Sequence, residues 1–310
     1  MKITDMGNCS MQQKCVLALG NFDGVHLGHR RLLEEAAAIA GKAGVLSGVY
    51  TFRENSKSVL AAENFSLLTT EQEKEQIISE CGADFICCDD FSKVRGLSPE
   101  EFCGYIAKKL DVKAVVCGEN YTFGKNASAG SEDLKRIMQS KGIETHVIPS
   151  ISLYGDLVSS TRIRNLISCG DVEMASELLG YRYFIKTKVV HGKELGRQLG
   201  FPTVNQLEYE NKTIPKFGVY ACVCTLDEKR YKGVVNVGVR PTVSQNTENP
   251  PVVFETHLLD YAGNAYGKSV CVEFCKMLRE EKKFASLDEL RIAVMKNIDD
   301  TYRYFEKAPL

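Results

Sequence analysis

The sequence predicts two folded domains: an α/β domain built on a parallel sheet, then a mainly antiparallel β-barrel with a terminal helix. In the first half, short apolar runs alternate with helical patterns, as in sheets covered by helices on both faces. After residue 183, runs rich in Val, Ile, Tyr and Phe are separated only by turns, which is typical of barrels and sandwiches. A chain of 310 residues also exceeds what one hydrophobic core usually serves. We place the boundary near residue 181, giving domains 1–181 and 182–310.

The composition excludes several classes of protein. Hydrophobic residues make up 44% and charged residues 25% of the chain, and the net charge is −1, so no bulk positive charge favours nucleic acid or an anionic membrane. No apolar run approaches the roughly 20 residues of a membrane span, and the first residues lack the apolar core of a signal peptide. We therefore expect a cytoplasmic protein that has neither a nucleic-acid nor a membrane partner. The sequence does not define an oligomeric state.

The chain has 12 cysteines, but none forms a C-x-x-C pair and most lie within apolar strand or helix patterns. A zinc site or a disulfide framework therefore has little support. We expect small buried thiols in a reducing compartment.

Local signals place the elements of the first domain in order. A buried strand precedes Gly20, a helix rich in leucine and alanine follows it, and Thr70 and Ser98 each begin a helix at capping-box spacing from a glutamate. The predicted strands are 15–19, 45–52, 84–88, 113–117 and 143–148; the predicted helices are 27–42, one from Thr70, one from Ser98 to about Leu110, and 171–179. Ligands of such sheets lie at the carboxyl ends of the strands. We therefore expect the loops 20–29 and 118–130 at the same edge.

The stretch GNFDGVHLGH, residues 20–29, joins the first strand to the first helix. A turn through glycines into a helix N-terminus presents free backbone N–H groups and the positive end of the helix dipole to an anion. His26 and His29 are three residues apart and share one helical face, so both imidazoles can donate to nucleotide phosphates. The alternative is a capped helix with two solvated histidines.

Two further stretches of this domain carry polar groups to the same edge. The loop 118–130 (GENYTFGKNASAG) is polar, glycine-rich and aromatic, as in a binding loop, although a plain surface loop is the alternative. Ser160 and Thr161 begin a helix, where their hydroxyls can cap the helix or bind phosphate, and Arg164 one turn later can donate to a triphosphate.

The second domain contains a second group of polar residues. Its predicted strands are 183–190, 217–226, 231–239, 252–259 and 269–277, and Ser286 begins a helix that ends near Phe305. Thr203 and Asn205 alternate on a strand, so both face one side and offer the hard oxygen ligands that Mg²⁺ prefers. Glu255 lies within a β-rich run, where an exposed strand position is the alternative to a catalytic role. The glycine-rich stretch before Thr203 is similar to a phosphate-covering flap and contains Gly192, Lys193 and Gly196.

The H-x-G-H spacing after F-D-G resembles the signature of the nucleotidyltransferase superfamily, which includes class I aminoacyl-tRNA synthetases. The stretches LGFPTVN, PKFGVYA, GVVNVGVRPT and FETHLLDYAGNAYGK extend the likeness over essentially the whole chain. The chain resembles the bacterial bifunctional riboflavin kinase/FMN adenylyltransferase (FAD synthetase) family. This resemblance implies a Rossmann-like N-terminal domain that converts FMN and ATP into FAD and pyrophosphate. It also implies a C-terminal kinase that converts riboflavin and ATP into FMN, with flavins as substrates and products rather than prosthetic groups.

The resemblance also implies roles for individual residues. Glu255 would act as the general base on the ribityl 5′-hydroxyl, and Thr203 and Asn205 would position Mg·ATP beneath the glycine flap. His26 and His29 would stabilise the charge on the triphosphate. The expected ATP contacts in the first domain are Gly20, Phe22, Asp23, His26, Gly28, His29, Asn120, Ser160, Thr161 and Arg164, and the expected flavin contacts in the second are Arg279 and Phe284.

The chain departs from the family pattern at one turn. Where the family usually has a proline- and histidine-containing turn, this chain has Phe52-Arg53-Glu54-Asn55-Ser56. The alternative function is therefore a riboflavin kinase with an impaired adenylyltransferase domain. Ser131 replaces a usual aspartate and is expected to cap the following helix. Two other functions are alternatives. A flavin-binding regulator is disfavoured because it would not need a base at Glu255. A transferase for another substrate is disfavoured because it would not need the second domain.

Overall fold

The computed structural model describes residues 2–6, 11–53, 65–190, 200–207, 211–239, 251–308 and 310. The chain forms two compact units, Met1–Arg162 and Ile163–Leu310. This division falls within the helix Ser160–Cys169, whereas the expected functional boundary lies near residue 181.

The first unit is built on a six-stranded parallel sheet, as predicted. Its order is β1-β4-β3-β2-β5-β6, so β2 lies in the interior and the chain moves to opposite sides of it through β3 and β5. Ligand sites of open parallel sheets lie where the strand order reverses in this way. The strands are β1 Lys2–Asp5, β2 Met11–Leu19, β3 Leu46–Phe52, β4 Phe85–Asp89, β5 Leu110–Gly118 and β6 Glu144–Ile148, and a separate hairpin is formed by β7 Ser152–Leu153 and β8 Asp156–Leu157.

The helices begin at the residues that the capping signals indicated. Thr70 and Ser98 each form a complete capping box with the glutamate three residues later. The expected cap at Ser131 is wrong: Gly130 is the N-cap residue, and the Ser131 hydroxyl instead donates to the Glu119 carbonyl over 3.0 Å. The helices are α1 Leu27–Ala43, α2 Glu71–Glu80, α3 Phe91–Val94, α4 Pro99–Lys109, α5 Ser131–Gln139, α6 Ser160–Cys169, α7 Val172–Leu179 and α8 Leu287–Lys307.

The second unit is a closed antiparallel barrel, which confirms the predicted architecture. The strand order around it is β10-β13-β12-β11-β14-β9, and β9 pairs with β10 to complete the ring. The terminal helix α8 packs on β11 and β12. The strands are β9 Phe184–Val190, β10 Val204–Leu207, β11 Gly218–Leu226, β12 Lys229–Val239, β13 Val252–Leu258 and β14 Ser269–Glu280.

Each unit has a core in which thiols serve as small apolar groups. The largest fully buried side chains of the barrel are aromatic: Tyr183, Tyr220, Phe254 and Phe274. All 11 cysteines in the described part of the chain are free thiols; eight are buried, Cys81 and Cys271 are half-buried, and Cys169 is exposed. Burial raises the pKa of Cys117 to about 12. Cys9 lies outside the described residues. No described helix is both long enough and apolar enough to cross a bilayer.

A glycine in β3 gives a test of the sheet packing. A Cβ atom at Gly48 would overlap the ring of Phe85 on the paired strand β4, whereas one at the exposed Gly41 of α1 would have no neighbour within 4 Å. We expect Gly48→Ala to lower the free energy of unfolding by about 1–3 kcal/mol because the core is overpacked. Gly41→Ala is the matched control and should raise it by about 0.5–1 kcal/mol. Urea unfolding followed by circular dichroism measures both; equal effects of the two variants would contradict this packing.

Candidate active sites

The loop after β2 folds into a tight turn at the carboxyl end of the strand. Phe22 and Val25 have φ values of 52° and 36°, Gly24 has φ 80°, and the Val25 N–H donates to the Phe22 carbonyl over 3.2 Å. Gly24 lies in the left-handed region that glycine adopts most readily. The Gly20 N–H donates to the Tyr50 carbonyl of β3 over 3.3 Å, so the loop is fixed to the sheet at its start.

The Asp23 carboxylate holds this loop in place. It is buried, and its Oδ1 accepts hydrogen bonds from the backbone N–H groups of Leu68 (2.9 Å) and Thr69 (3.2 Å). In return, the Gly24 N–H donates to the Thr69 hydroxyl over 3.1 Å. The structure therefore uses Asp23, an expected ATP contact, to brace the loop against the segment that begins α2. Sequence reasoning missed Leu68 and Thr69 because they lie 45 residues away along the chain.

His26 and His29 are brought together as the H-x-G-H spacing predicted. His26 is the N-cap residue of α1, and its Nδ1 accepts from the His29 N–H over 3.3 Å. A neutral His26 ring therefore carries its proton on Nε2, which leaves that atom as a donor. The two rings stack with centroids 3.7 Å apart, and a Cβ at Gly28 would come within 3.2 Å of the His26 ring. Gly28 thus leaves the space that the capping ring occupies.

The surroundings of His29 favour its neutral form. Burial, then the adjacent His26 and Lys74, hold the pKa of His29 well below its ordinary value of 6.5. Its Nδ1 is buried and has no hydrogen-bond partner among the described residues. Lys74 is itself buried, and its ammonium donates to the Phe52 carbonyl at the end of β3 over 2.7 Å. His29 can therefore act toward a ligand as a neutral hydrogen-bonding group with an unused ring nitrogen.

The start of α6 reaches the same loop. The Ser160 hydroxyl donates to the Asp23 carbonyl over 2.9 Å, and Ser159 caps the helix by accepting from the Arg162 N–H over 3.3 Å. Thr161 is exposed, and Arg164 follows one turn later on the same helix. The Arg162 guanidinium is used structurally, because it donates to the Leu153 and Asp156 carbonyls of the β7–β8 hairpin.

Two other expected ligand positions, and the divergent turn, lie at the carboxyl ends of the strands. Asn120 is exposed after β5 and donates to the Ser150 hydroxyl over 2.8 Å. Phe22 is fully buried, with its ring centroid 5.2 Å from that of His29. In the divergent turn, Arg53 forms ion pairs with Asp5 (3.0 Å) and Glu71 (3.3 Å); residues 54–56 lie outside the described part of the chain.

In the second unit, the strand register aligns polar side chains in one transverse row. Asn205 pairs with Glu255, Glu255 with Asn236, Asn236 with Val219, and Val219 with Arg279. Directly paired residues of antiparallel strands project to the same face of the sheet. The row therefore contains three residues that were expected in the site from the sequence: Asn205, Glu255 and Arg279. Sequence reasoning missed Asn236, which becomes a neighbour of Glu255 only through strand pairing.

Two cavities open beside this row, and Thr203 lines both of them. The first measures about 280 Å³ and is lined by the row from Glu255 to Arg279, together with Phe284 and residues of α8. The second measures about 440 Å³ and extends from Val189 and Pro202 to the loop Tyr261–Tyr266. The arrangement provides space for two small molecules that meet at Thr203, with the exposed Glu255 carboxylate in the first cavity.

Asn205 has the properties of a metal ligand. The residue is buried, and its Oδ1 has no hydrogen-bond partner among the described residues. A buried carbonyl oxygen without a partner is costly, and Mg²⁺ takes such hard oxygens as ligands. Thr203 lies two residues earlier and adds a hydroxyl, so the donor set fits the expected magnesium.

The expected flavin contacts also meet at the first cavity. The Arg279 guanidinium lies 5.3 Å from the centroid of the Phe284 ring, and burial lowers the pKa of Arg279. Asn297 of α8 lines the same cavity and was not singled out from the sequence, where it is one polar residue among many on an amphipathic helix. The expected flap residues Gly192, Lys193 and Gly196 lie outside the described residues.

These features define a two-domain, nucleotide-dependent transferase. The family model for FAD synthetase matches residues 9–162, and the model for riboflavin kinase matches residues 179–305. The bifunctional riboflavin kinase/FMN adenylyltransferase of Bacillus subtilis is 34% identical over 297 residues, covering 95% of this chain and 93% of the relative. The Escherichia coli K12 protein of the same name is 36% identical over 294 residues. The match covers 92% of this chain and 91% of that relative. The chain belongs to the bifunctional riboflavin kinase/FMN adenylyltransferase family, which confirms the resemblance found in the sequence.

A solved structure is similar over nearly the whole length of the chain. A Streptococcus pneumoniae protein described as a macrolide-efflux protein superposes with a TM-score of 0.88 at 29% identity, covering 97% of this chain and 98% of that chain. Its likeness extends through both units.

The lowered pKa of His29 predicts a pH-dependent stability of the first unit. In the unfolded chain, His29 takes up a proton near pH 6.5, whereas the folded site resists that proton. The unfolded state then binds more protons, so the free energy of unfolding falls as the pH falls below 6.5. His29→Asn removes this contribution, and the Tm of the variant should fall less than that of the wild type between about pH 7 and about pH 5.

Gln139→Asn, on the exposed end of α5 in the same unit, is the control, because it changes no ionisable group, and its Tm curve should follow the wild type. Parallel Tm curves for wild type and His29→Asn would contradict the neutral, buried state of His29.

Proposed function

We propose that this chain phosphorylates riboflavin to FMN at the barrel site and adenylylates FMN to FAD at the sheet site, using ATP in both reactions. The observation that carries the proposal is the position of Thr203 in two adjoining cavities, beside the Glu255 carboxylate. A kinase needs two small molecules to meet at a base, and phosphoryl transfer requires little beyond positioning and neutralisation of charge. The two family domains and the bifunctional relatives support the assignment of one reaction to each unit.

In the barrel, riboflavin occupies the cavity lined by Glu255, and ATP occupies the cavity along Tyr261–Tyr266. Glu255 accepts the proton of the ribityl 5′-hydroxyl as that oxygen attacks the γ-phosphorus of ATP. The new oxygen–phosphorus bond forms while the bond between the γ-phosphorus and the ADP oxygen breaks. ADP leaves with the electron pair, and FMN is the product. The expected flap with Gly192, Lys193 and Gly196 covers the phosphates in this proposal.

Thr203 and Asn205 hold Mg²⁺ through a hydroxyl and a carbonyl oxygen. When bound, the ion neutralises negative charge on the phosphates of ATP. The unpartnered Oδ1 of Asn205 supports this assignment.

In the first unit, a phosphate oxygen of FMN attacks the α-phosphorus of ATP, and the bond to pyrophosphate breaks. No protein nucleophile is needed, because the attacking phosphate is already an anion. The Nε2–H of His26, the neutral His29 and the hydroxyls of Ser160 and Thr161 stabilise the charge on the departing pyrophosphate, with Arg164 as a cationic donor. Gly20, Phe22 and Gly28 shape the loop, Asp23 braces it, and Asn120 positions a substrate from the neighbouring strand end.

We assign the functional domains to 1–181 and 182–310 and the protein to the cytoplasm, where its buried free thiols stay reduced. The kinase-only alternative rests on the turn 53–56. Arg53, the described residue of that turn, is tied to β1 and α2 by ion pairs, and the FAD synthetase model spans the whole turn. We therefore favour two active sites.

Variants in the two sites should separate the two activities. Purified protein is incubated with riboflavin, excess ATP and Mg²⁺, and flavins are followed by chromatography; FMN should appear first and then convert to FAD. Glu255→Gln should lower kcat for riboflavin phosphorylation by about 10²- to 10⁴-fold, because the base is lost, and leave the adenylylation of added FMN intact. His29→Ala should lower only adenylylation, by about 10²- to 10³-fold.

Glu306→Gln, on the exposed end of α8, is the matched control for Glu255→Gln and should match the wild type. FMN that accumulates without FAD would support the kinase-only alternative. Flavin binding without conversion would instead indicate a flavin-binding protein that has no enzymatic activity.

The proposed metal ligand gives a separate prediction. Asn205→Ala removes the carbonyl oxygen, so the Mg²⁺ concentration for half-maximal riboflavin phosphorylation should rise by about tenfold or more. The Mg²⁺ dependence of FMN adenylylation, measured on the same preparation, is the internal control and should not change. An unchanged requirement in the kinase reaction would exclude Asn205 as a ligand.

A further inference from the structure

The lining of the cavity beside Glu255 changes from polar to apolar along its length. At one end lies the carboxylate, and away from it the walls are formed by apolar side chains: Val219 and Val234 from the barrel, and Leu290 and Val294 from α8. A flat, largely apolar ring system fits this region, while the ribityl hydroxyls reach toward Glu255. Recognition of the ring then depends on the few polar groups that the apolar region contains.

Asn297 is the buried polar side chain of this region. Only 5% of the residue is exposed, and it lines the cavity. The hydrogen bond of the residue is made by its backbone carbonyl, which accepts from the Thr301 hydroxyl over 2.8 Å. An amide that lines a cavity can both donate to and accept from a ligand bound there.

Arg279 supplies an unpartnered donor on the same cavity. Its Nε–H is buried without a partner in the described structure, while one terminal nitrogen donates to the Glu280 carbonyl over 3.1 Å. Two other charged residues of the lining, Glu281 and Lys282, are exposed to solvent. The polar groups beside the apolar walls therefore include a buried amide, which both donates and accepts, and a half-buried guanidinium, which only donates.

These groups complement the pyrimidine edge of the isoalloxazine ring. That edge presents a carbonyl, an N3–H and a second carbonyl in sequence. We propose that Asn297 determines flavin specificity in the kinase site: its Oδ1 accepts from N3–H, and its Nδ2 donates to one flanking carbonyl. Arg279 donates to the other carbonyl. This inference rests on the proposed kinase function, because it assigns the ring end of the riboflavin that Glu255 deprotonates.

The test compares riboflavin with N3-methylriboflavin, which lacks the N3–H donor. Binding to the full chain is measured by quenching of flavin fluorescence, and KM and kcat are measured for phosphorylation. The wild type should bind N3-methylriboflavin about tenfold or more weakly, because Oδ1 loses its partner. Asn297→Leu should bind riboflavin about tenfold more weakly, raise KM with little change in kcat, and no longer distinguish the two flavins.

Two further variants separate recognition from folding. Asn297→Asp retains an acceptor and should keep part of the preference for riboflavin. Lys296→Leu introduces the same side chain one residue earlier, on the exposed face of α8, and should match the wild type in both flavins. Adenylylation of FMN by the first unit and the thermal unfolding curve of each variant report on intact folding.

A wild type that binds both flavins equally would overturn the inference, as would an Asn297→Leu variant that keeps the full preference for riboflavin. If Asn297→Leu weakens the binding of both flavins by the same factor and still prefers riboflavin, Asn297 has a structural role, and this result would also overturn the inference. A wild type that distinguishes the flavins but transfers no phosphate would support the inference while the proposed kinase function fails.

Discussion

The hydrogen-bond register of the barrel is the constraint on which the second site depends. Five neighbouring strands place Asn205, Glu255, Asn236 and Arg279 on one outer face because directly paired residues share a face. A shift of one residue in any of these strands would turn its side chain toward the interior. Four large aromatic side chains already fill that interior, so the alternative register cannot be packed. Packing inside the barrel thereby fixes the positions of the polar side chains on its outer face.

In the first unit, hydrogen bonds rather than strand register fix the positions of the candidate site residues. The loop 20–29 has no repeating register. It is held from three places that are distant in sequence: the sheet through Thr51, the segment before α2 through Asp23, and α6 through Ser160. Donors that are fixed before the ligand arrives need not reorganise as charge develops, which is the main source of electrostatic stabilisation in enzymes. The short polar residues of the loop thus act chiefly on its shape.

Local signals in the sequence carried most of the fold and part of each site. The capping boxes at Thr70 and Ser98, the alternation of strand and helix, and the succession of β-rich runs predicted the correct architecture because each depends on neighbouring residues. The four-residue strand β1 and the two-residue hairpin strands escaped detection because they are too short to show a period. Asn236 and Asn297 escaped for another reason: their relevance arises from strand pairing and helix docking, which a single sequence does not encode locally.

Closure of the barrel has a consequence for how this chain withstands misassembly. Each of its six strands has hydrogen-bonded neighbours on both sides, so its backbone offers no template on which another chain can add a strand. Among the described residues, the parallel sheet of the first unit ends in β1 and β6, each of which pairs with a strand on one side. Intermolecular β-pairing during refolding or prolonged storage would therefore begin at these two edges, and charged or proline substitutions along β6 would be the place to suppress it.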